Sequence, residues 1–569
     1  MIVPERRTVA ARRSRTGSVD HEHGFCPSPT TSGCIDMTLA PTQTTVDVDG
    51  ETLDVEGVRR IAEDRTAATV TSATLARAAV SRKMLEDSIQ QGVPVYGVTT
   101  GYGEMIYMLV DPAKEVELQT NLVRSHSAGV GPLFAEDEAR AIVVARLNAL
   151  SKGHSAVRPE ILERLALYLN LGITPAIPEI GSLGASGDLA PLAHLASTLI
   201  GEGYVLQNGR KFKTGAVLRE HGIEPLQLRF KEGLALINGT SAMTGLGSLV
   251  VSHALTQVRQ AEIVTGLVLE AMQASSSPFQ PEGHDIARPH RGQIDSAANM
   301  RALLAGSDAI VDHSALRGQL QENRTEGGVS KTNVYMQKAY SLRAIPQVLG
   351  AVRDTLYHAT ATVQTELNSA NDNPLFFEGK EVFHGANFHG QPVAFVMDFT
   401  TIALTQLGVL SERRTNRLLN RYLSNLPEFL VAGEPGLNSG FAGAQYPATA
   451  LVAENRTIGP ASTQSVPSNG DNQDVVSMGL ISARNARRVM RNNDLILAVE
   501  YLAAAQAVDL SGRYKQLGPA GRATYDLLRS LVPHLAVDRY MSDEIELTAK
   551  ALARGEFLQA AREADTTLR

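Results

Sequence analysis

Apolar residues return every three or four positions over long stretches of this chain. Thr244–Ala274 (TGLGSLVVSHALTQVRQAEIVTGLVLEAMQA), Val393–Leu419 and Leu495–Val508 keep that spacing for several turns, which predicts three long helices. Residues 137–151 and 158–172 predict a shorter helical pair. Strand signals are few and local: VDVDG at 46–50, YVLQNGRKF at 204–212 and LFFEGKEVF at 375–383. The last two carry Asn-Gly or Glu-Gly at the turn, so small hairpins are expected there. No repeat with a period of roughly 20–50 residues is present. The pattern predicts a mainly α protein. Residues 46–240 form a loop- and hairpin-rich N-terminal part, and residues 241–569 form a long-helix bundle with a helical C-terminal part. Gly-, Asn- and Tyr-rich loops join the helices, and such loops on a rigid scaffold often carry catalysis.

Composition narrows the class. A chain of 569 residues with 43% hydrophobic content has material for a large core and about three to four domain-sized units. Abundant Ala, Leu and Val, only 5% aromatics and no Trp favour helix over sheet. A formal net charge of −7 offers no broad attraction to nucleic acid or an anionic membrane. No uncharged apolar run reaches the length of a membrane span. The two cysteines, Cys26 and Cys34, lie near the N-terminus, so a disulfide framework and a cysteine nucleophile in the body are excluded. The expected compartment is the cytoplasm.

Residues 1–45 read as a disordered tail. Arg6-Arg7 and Arg12-Arg13 resemble an export signal, but no hydrophobic region follows them. His21, His23, Cys26 and Cys34 are zinc-ligand types, yet the segment is too poor in apolar residues to enclose a site, so no metal is expected. Met37 is a candidate start, because a folded pattern begins only at VDVDGETLDVEGVRRIA.

The most informative stretch is Thr174–His194, TPAIPEIGSLGASGDLAPLAH. Within it, Ala185-Ser186-Gly187 can make its own electrophile. The Gly187 nitrogen attacks the Ala185 carbonyl carbon and closes a five-membered ring. Loss of water from the ring and from the Ser186 side chain leaves a methylidene-imidazolone (MIO). Gly187 lets the backbone fold tightly enough for attack, Ser186 carries the leaving hydroxyl, and Ala185 keeps the closure uncrowded. The tripeptide alone arises by chance in roughly one chain in five of this length. The surrounding GSLGASGDLAPL, with Pro175 and Pro178 ahead of it, resembles the prosthetic-group loop of the MIO-dependent ammonia-lyases and aminomutases of aromatic amino acids.

Further segments match in family order. YGVTTGYGE places Tyr96 on a flexible loop; a phenol is a poor base at its free pKa of about 10, so catalysis would need its phenolate stabilised. ALINGTSAM holds Asn238, QKAYSLR holds Tyr340 and Arg343 on one face if helical, ELNSANDNP holds Asn373, FHGANFHGQ holds Phe388, and SNGDNQDVVSM holds Asn469 and Gln473. Read alone, such strings are turns, caps and surface contacts. The resemblance implies a histidine ammonia-lyase-like fold, with Tyr96 as general acid/base at the β-carbon and Tyr340 as a second catalytic phenol. It makes Asn238 a donor to the imidazolone oxygen and Arg343 the carboxylate fork, assisted by Asn373. Gly103, His126, Tyr335, Phe388, Asn469 and Gln473 become substrate-pocket residues. The cofactor would be MIO formed autocatalytically, with no external cofactor. The partners would be an aromatic amino acid and three further copies of the chain, in a homotetramer with shared sites. No Walker loop, HExxH or dinucleotide fingerprint competes, and GLGSLV at 245–250 lacks the third glycine and lies in a predicted helix.

Within the family, Gln473 stands where histidine ammonia-lyases usually have Glu, and Asn469 where plant-type phenylalanine ammonia-lyases have Glu. His126, in NLVRSHSAG, can hydrogen-bond a phenol hydroxyl, although histidine ammonia-lyases can also have His there. YGVTTGYGEMIYM and FHGANFHGQP are similar to bacterial tyrosine 2,3-aminomutases of enediyne antibiotic biosynthesis. That resemblance implies conversion of L-tyrosine to β-tyrosine through an MIO-bound amine and 4-hydroxycinnamate. A tyrosine ammonia-lyase, an aminomutase for a ring-modified tyrosine such as aza-tyrosine, and an inactive binder of aromatic acids are the alternatives. Mutase and lyase share these residues and differ in how long the acrylate is held.

Overall fold

The computed structural model describes residues 45–322, 324–332 and 337–569, and the region Thr44–Arg569 forms one unit. The tail, its His/Cys cluster, Met37 and Tyr335 lie outside the described residues. Helices dominate. Those that build the site are α1 (Glu115–His126), α2 (Glu136–Ser151), α3 (Leu189–Leu199), α4 (Glu232–Ile237), α5 (Ser241–Ala271), α6 (Ile345–Leu367), α7 (Gln391–Leu419) and α8 (Gly479–Ser511). The three long helices read from the periodicity are α5, α7 and the second half of α8. The shorter pair is α2 and Pro159–Leu171.

α5 is buried on nearly every side, as expected for a helix that is apolar all round. It packs against α2, α6, α7 and α8, and α7 lies along α8. Two buried ion pairs tie the bundle together. Arg353 of α6 meets Glu262 of α5 at 2.6 Å, and Arg414 of α7 meets Glu500 of α8. Each charge is compensated by a partner on another helix, so breaking either pair would strand a charge in the core. α7 has the length and mean hydropathy (1.7 over its most apolar window) of a membrane span, but 67% of that window is buried inside the protein. It is a core helix whose remaining face carries exposed Phe395, Phe399 and Ile402.

α6 is absent from the sequence reading, where Pro346, Gly350 and Arg353 dilute its apolar period; Arg353 is nevertheless fully buried through its pair with Glu262. α8 begins well before Leu495. Its first half, rich in Arg and Asn, is held by Arg487 and Arg491 on Glu138 and by Arg484 on Glu179. The hairpin at 204–213 forms as expected, with a two-residue Asn208-Gly209 turn in which both residues have positive φ. The segment 375–383 is closed only by a Leu375–Phe383 bridge, because Phe376 donates its N–H to the His154 carbonyl instead.

Candidate active site

The Ala185-Ser186-Gly187 loop lies between strand Pro178–Ile180 and α3, and the loop before α5 pins it. Gly239 N donates to the Ser186 carbonyl at 3.0 Å, and Asp188 N donates to the Gly239 carbonyl at 2.7 Å. This grip forces Ser186 to φ +50° and Gly187 to φ +79°, a left-handed turn that a serine adopts only under constraint. A Cβ at Gly187 would lie 2.1 Å from the Gly239 oxygen, so no larger residue fits.

The next residue, Asp188, is fully buried and holds the loop to the bundle. Its carboxylate accepts from the Met243 N–H and the Ser182 hydroxyl, both at 2.8 Å. Thr240, at the N-cap of α5, makes no side-chain cap, so Asp188 serves the helix start from another segment, where a negative charge is favoured. Burial raises its carboxyl to about 6, against the opposing pull of these hydrogen bonds.

Ala185 and Ser186 line a cavity of about 560 Å³ together with Tyr96, Asn238, Phe388 and Gln473. Gly103 and Asn373 border it too. The Tyr96 phenol oxygen accepts the Gly103 N–H at 2.9 Å, so its own proton remains free, and the ring meets Tyr102 edge-on at 6.3 Å. The Gln473 amide reaches the Ser186 hydroxyl at 3.4 Å while its oxygen accepts from Ser468 at 3.0 Å. Asn469 packs against Gly103, whose absent Cβ would fall 2.2 Å from its amide nitrogen. The sequence reading missed Ile106, His384, His389 and Asp474 on the cavity wall. They sit inside the matched strings, but nothing in their spacing marks them as lining residues.

Three expected residues lie elsewhere. Tyr340 and Arg343 do share a face, with the guanidinium 4.6 Å from the ring centre, but Arg343 lines a separate cavity of about 290 Å³ with Lys338 and Gln273. His126 ends α1; its Nδ1 donates to the Leu122 carbonyl at 2.9 Å, which leaves Nε2 as an acceptor. The Ser186 cavity is lined by no Lys or Arg among the described residues. Asn238 is also arranged differently from its implied role. Both its amide hydrogens are already given, to Asp372 at 3.0 Å and to the Asn373 carbonyl at 2.9 Å. No N–H remains for a ring oxygen.

Residues 53–530 match the family model described as aromatic amino acid lyase. This chain belongs to that family. It is 74% identical over 527 residues to the MIO-dependent tyrosine 2,3-aminomutase of Streptomyces globisporus, covering 92% of this chain and 98% of that one. A crystal structure of tyrosine aminomutase from that organism superposes with a TM-score of 0.91 at 73% identity, covering 92% of this chain and 100% of the other. The tyrosine ammonia-lyase of Cupriavidus metallidurans is 58% identical, covering 92% of this chain and 98% of that one. Histidine ammonia-lyase from Trypanosoma cruzi has a TM-score of 0.82 at 36% identity, covering 91% and 95%, so the fold is histidine ammonia-lyase-like.

Proposed function

We propose that this protein is a tyrosine 2,3-aminomutase, moving the amine of L-tyrosine from the α- to the β-carbon through 4-hydroxycinnamate. The observation that carries the reading is the placement of the Tyr96 phenol and the strained Ser186 turn in one cavity. The loop fits an MIO group: Gly187 is the residue its packing admits, Ser186 is already bent, and the Ala185 carbonyl has no hydrogen-bond partner among the described residues. That group, once formed, supplies the carbon electrophile that takes up the amine.

The side chains do the rest. Tyr96 Oη, held by Gly103 N–H, takes the proton from the β-carbon and returns one at the α-carbon. Gln473 and Phe388 close the cavity around the reacting carbons. His126, which does not line the Ser186 cavity in the single chain, is assigned to the far end of the substrate, where its Nε2, left as an acceptor by the Nδ1 contact to Leu122, would take the phenol proton and favour tyrosine over phenylalanine. Arg343 holds the carboxylate as a bidentate fork and Tyr340 is a second phenol, both contributed by another copy of the chain. That no Lys or Arg among the described residues lines the Ser186 cavity, and that Arg343 lines a different one, support that sharing. So does an apolar groove of about 560 Å³ between α6 and α7, lined by Val348, Ala351, Phe399 and Ile402 and suited to a second copy in a homotetramer. A cytoplasmic enzyme supplying β-tyrosine to antibiotic biosynthesis is the setting that this reading implies.

The test is incubation with L-tyrosine, following 4-hydroxycinnamate by absorbance and β-tyrosine by chiral chromatography. β-Tyrosine outpacing the cinnamate is expected. Cinnamate alone would replace the reading with a tyrosine ammonia-lyase, the activity named for the 58% identical relative.

A further inference from the structure

An amine adds to a carbon electrophile only through a free lone pair, and near neutral pH an amino acid holds its nitrogen as an ammonium. In the proposed reaction the Tyr96 phenol already serves the β-carbon, so the nitrogen needs a base of its own. Three other titratable side chains line the Ser186 cavity among the described residues: His384, His389 and Asp474. Asp474 is exposed, and a carboxylate in water is too weak a base to take an ammonium proton. His384 Nε2 faces the Tyr96 N–H at 3.5 Å. A backbone N–H only donates, so the His384 proton lies on Nδ1 and its lone pair is engaged. His389 is the reverse. Its Nε2 meets the Val475 carbonyl oxygen at 3.2 Å. A carbonyl only accepts, so Nε2 carries the proton and Nδ1 keeps its lone pair. Nδ1 has no partner among the described residues, and it is not one of the buried side-chain atoms left unpartnered, so solvent reaches it.

The fold also sets where this lone pair sits. His389 N donates to the Ala386 carbonyl at 2.9 Å, which closes a turn just ahead of α7, and the Val475 contact holds the ring. Val475 lies two residues beyond Gln473, whose amide reaches the Ser186 hydroxyl at 3.4 Å. The carbon bearing that hydroxyl is the one the amine would approach. We propose that His389 is a catalytic base whose Nδ1 takes a proton from the substrate's ammonium, so that the nitrogen arrives at residue 186 as a free nucleophile. The N–H bond breaks, its electron pair stays on nitrogen, and the proton turns His389 into an imidazolium that still donates from Nε2 to Val475. The proton returns from Nδ1 when the nitrogen is released, so none is consumed. Imidazole suits a proton that must be taken and given back near neutral pH. The substrate class, an aromatic amino acid, is taken from the aminomutase reading.

Binding is measured first, by calorimetry on the full-length Ser186→Ala protein, which cannot form the electrophile. A protonated His389 offers no lone pair to an ammonium. L-Tyrosine should therefore bind about tenfold more weakly at about pH 5.5 than at about pH 8. 3-(4-Hydroxyphenyl)propanoate, which lacks the amine, should bind at least as well at the lower pH. His389→Gln keeps an N–H for the Val475 carbonyl but has no titrating lone pair. Added to Ser186→Ala, it should hold the L-tyrosine Kd within about twofold across that range. In the enzyme with Ser186 intact, His389→Gln should keep the near-ultraviolet band and lower kcat/KM for L-tyrosine about a hundredfold at about pH 7. That deficit should shrink at about pH 9.5, where more of the amine is free in solution. A merely structural role would leave it equal at both. Such an equal deficit, a pH-dependent L-tyrosine Kd that survives His389→Gln, or no binding of L-tyrosine by Ser186→Ala would overturn the proposal. Absence of L-tyrosine turnover by wild type, with the pH split in binding intact, would sink only the aminomutase reading.

Discussion

Residue identity matters most where backbone space is smallest. Gly187 has two demands on it: in the proposed cyclisation its nitrogen must reach a neighbouring carbonyl, and its α-carbon sits where any Cβ would collide with the Gly239 oxygen. Gly187→Ala is therefore expected to behave like Ser186→Ala. Both should lack the near-ultraviolet band of wild type and lose turnover by about a thousandfold or more, while keeping the helical circular dichroism of the scaffold. A Gly187→Ala protein that kept the band would show that the loop has more room than its packing indicates. The tripeptide was legible in the sequence because the contiguous string around it, GSLGASGDLAPL, resembles a family's prosthetic-group loop. The buried Lys231–Asp372 ion pair and the Asp188 cap were not, because each joins residues far apart in the chain whose types are common in any surface segment.

Among the helices, the packing of α5 on α8 builds in a dependence on pH. Asp494 of α8 and His253 of α5 share a small cavity of about 180 Å³ with Glu63. Burial raises the Asp494 carboxyl from 3.8 to about 7, opposed by the Gln257 amide, His253 and Arg491. Burial alone would lower the His253 imidazole, but Glu63 at 2.6 Å outweighs it and the group is raised. The folded state thus holds the Asp494 proton more tightly than the unfolded state does. Asp494 imposes little penalty at low pH and a growing one as pH climbs from about 4 to about 7. The His253 contribution is present below about 6.5 and lost as pH rises through its folded value, so both act in the same direction. Asp494→Asn should raise Tm clearly at about pH 8 and much less at about pH 5. A gain at the higher pH no larger than at the lower would refute this. Periodicity revealed α5, α7 and the end of α8, but the first half of α8 was hidden because its apolar positions are diluted by arginines that find acidic partners on α2 and near the loop.

At the scale of the whole molecule, the expected carboxylate fork and the electrophile loop do not meet within one chain. Arg343 and Ser186 line different cavities. On the proposed sharing of sites between copies, co-expressing Ser186→Ala with Arg343→Ala should restore part of the activity that each variant lacks alone, because a mixed oligomer would then contain sites built from one intact loop and one intact arginine. Mixed oligomers, verified by differential tags, with no recovered activity would argue that each chain builds its own site. The apolar face of α7, with Phe399 and Ile402 exposed, is where burial of a neighbouring copy would contribute most, at about 25 cal/mol per Å² of apolar surface removed from water.

By itself the sequence determined the helical class, since periodicity is local, and through its resemblance to a family it pointed to Ala185-Ser186-Gly187 and to a set of expected substrate-binding side chains. The tertiary structure alone decided which of those side chains face one another. It placed Ser186 in a strained turn lining the same cavity as Tyr96, put Asp188 at the start of α5, and oriented the Asn238 amide on the buried Asp372 carboxylate. Those are long-range decisions. They follow from the requirement that buried polar groups find partners, and those partners come from segments that the chain order keeps apart.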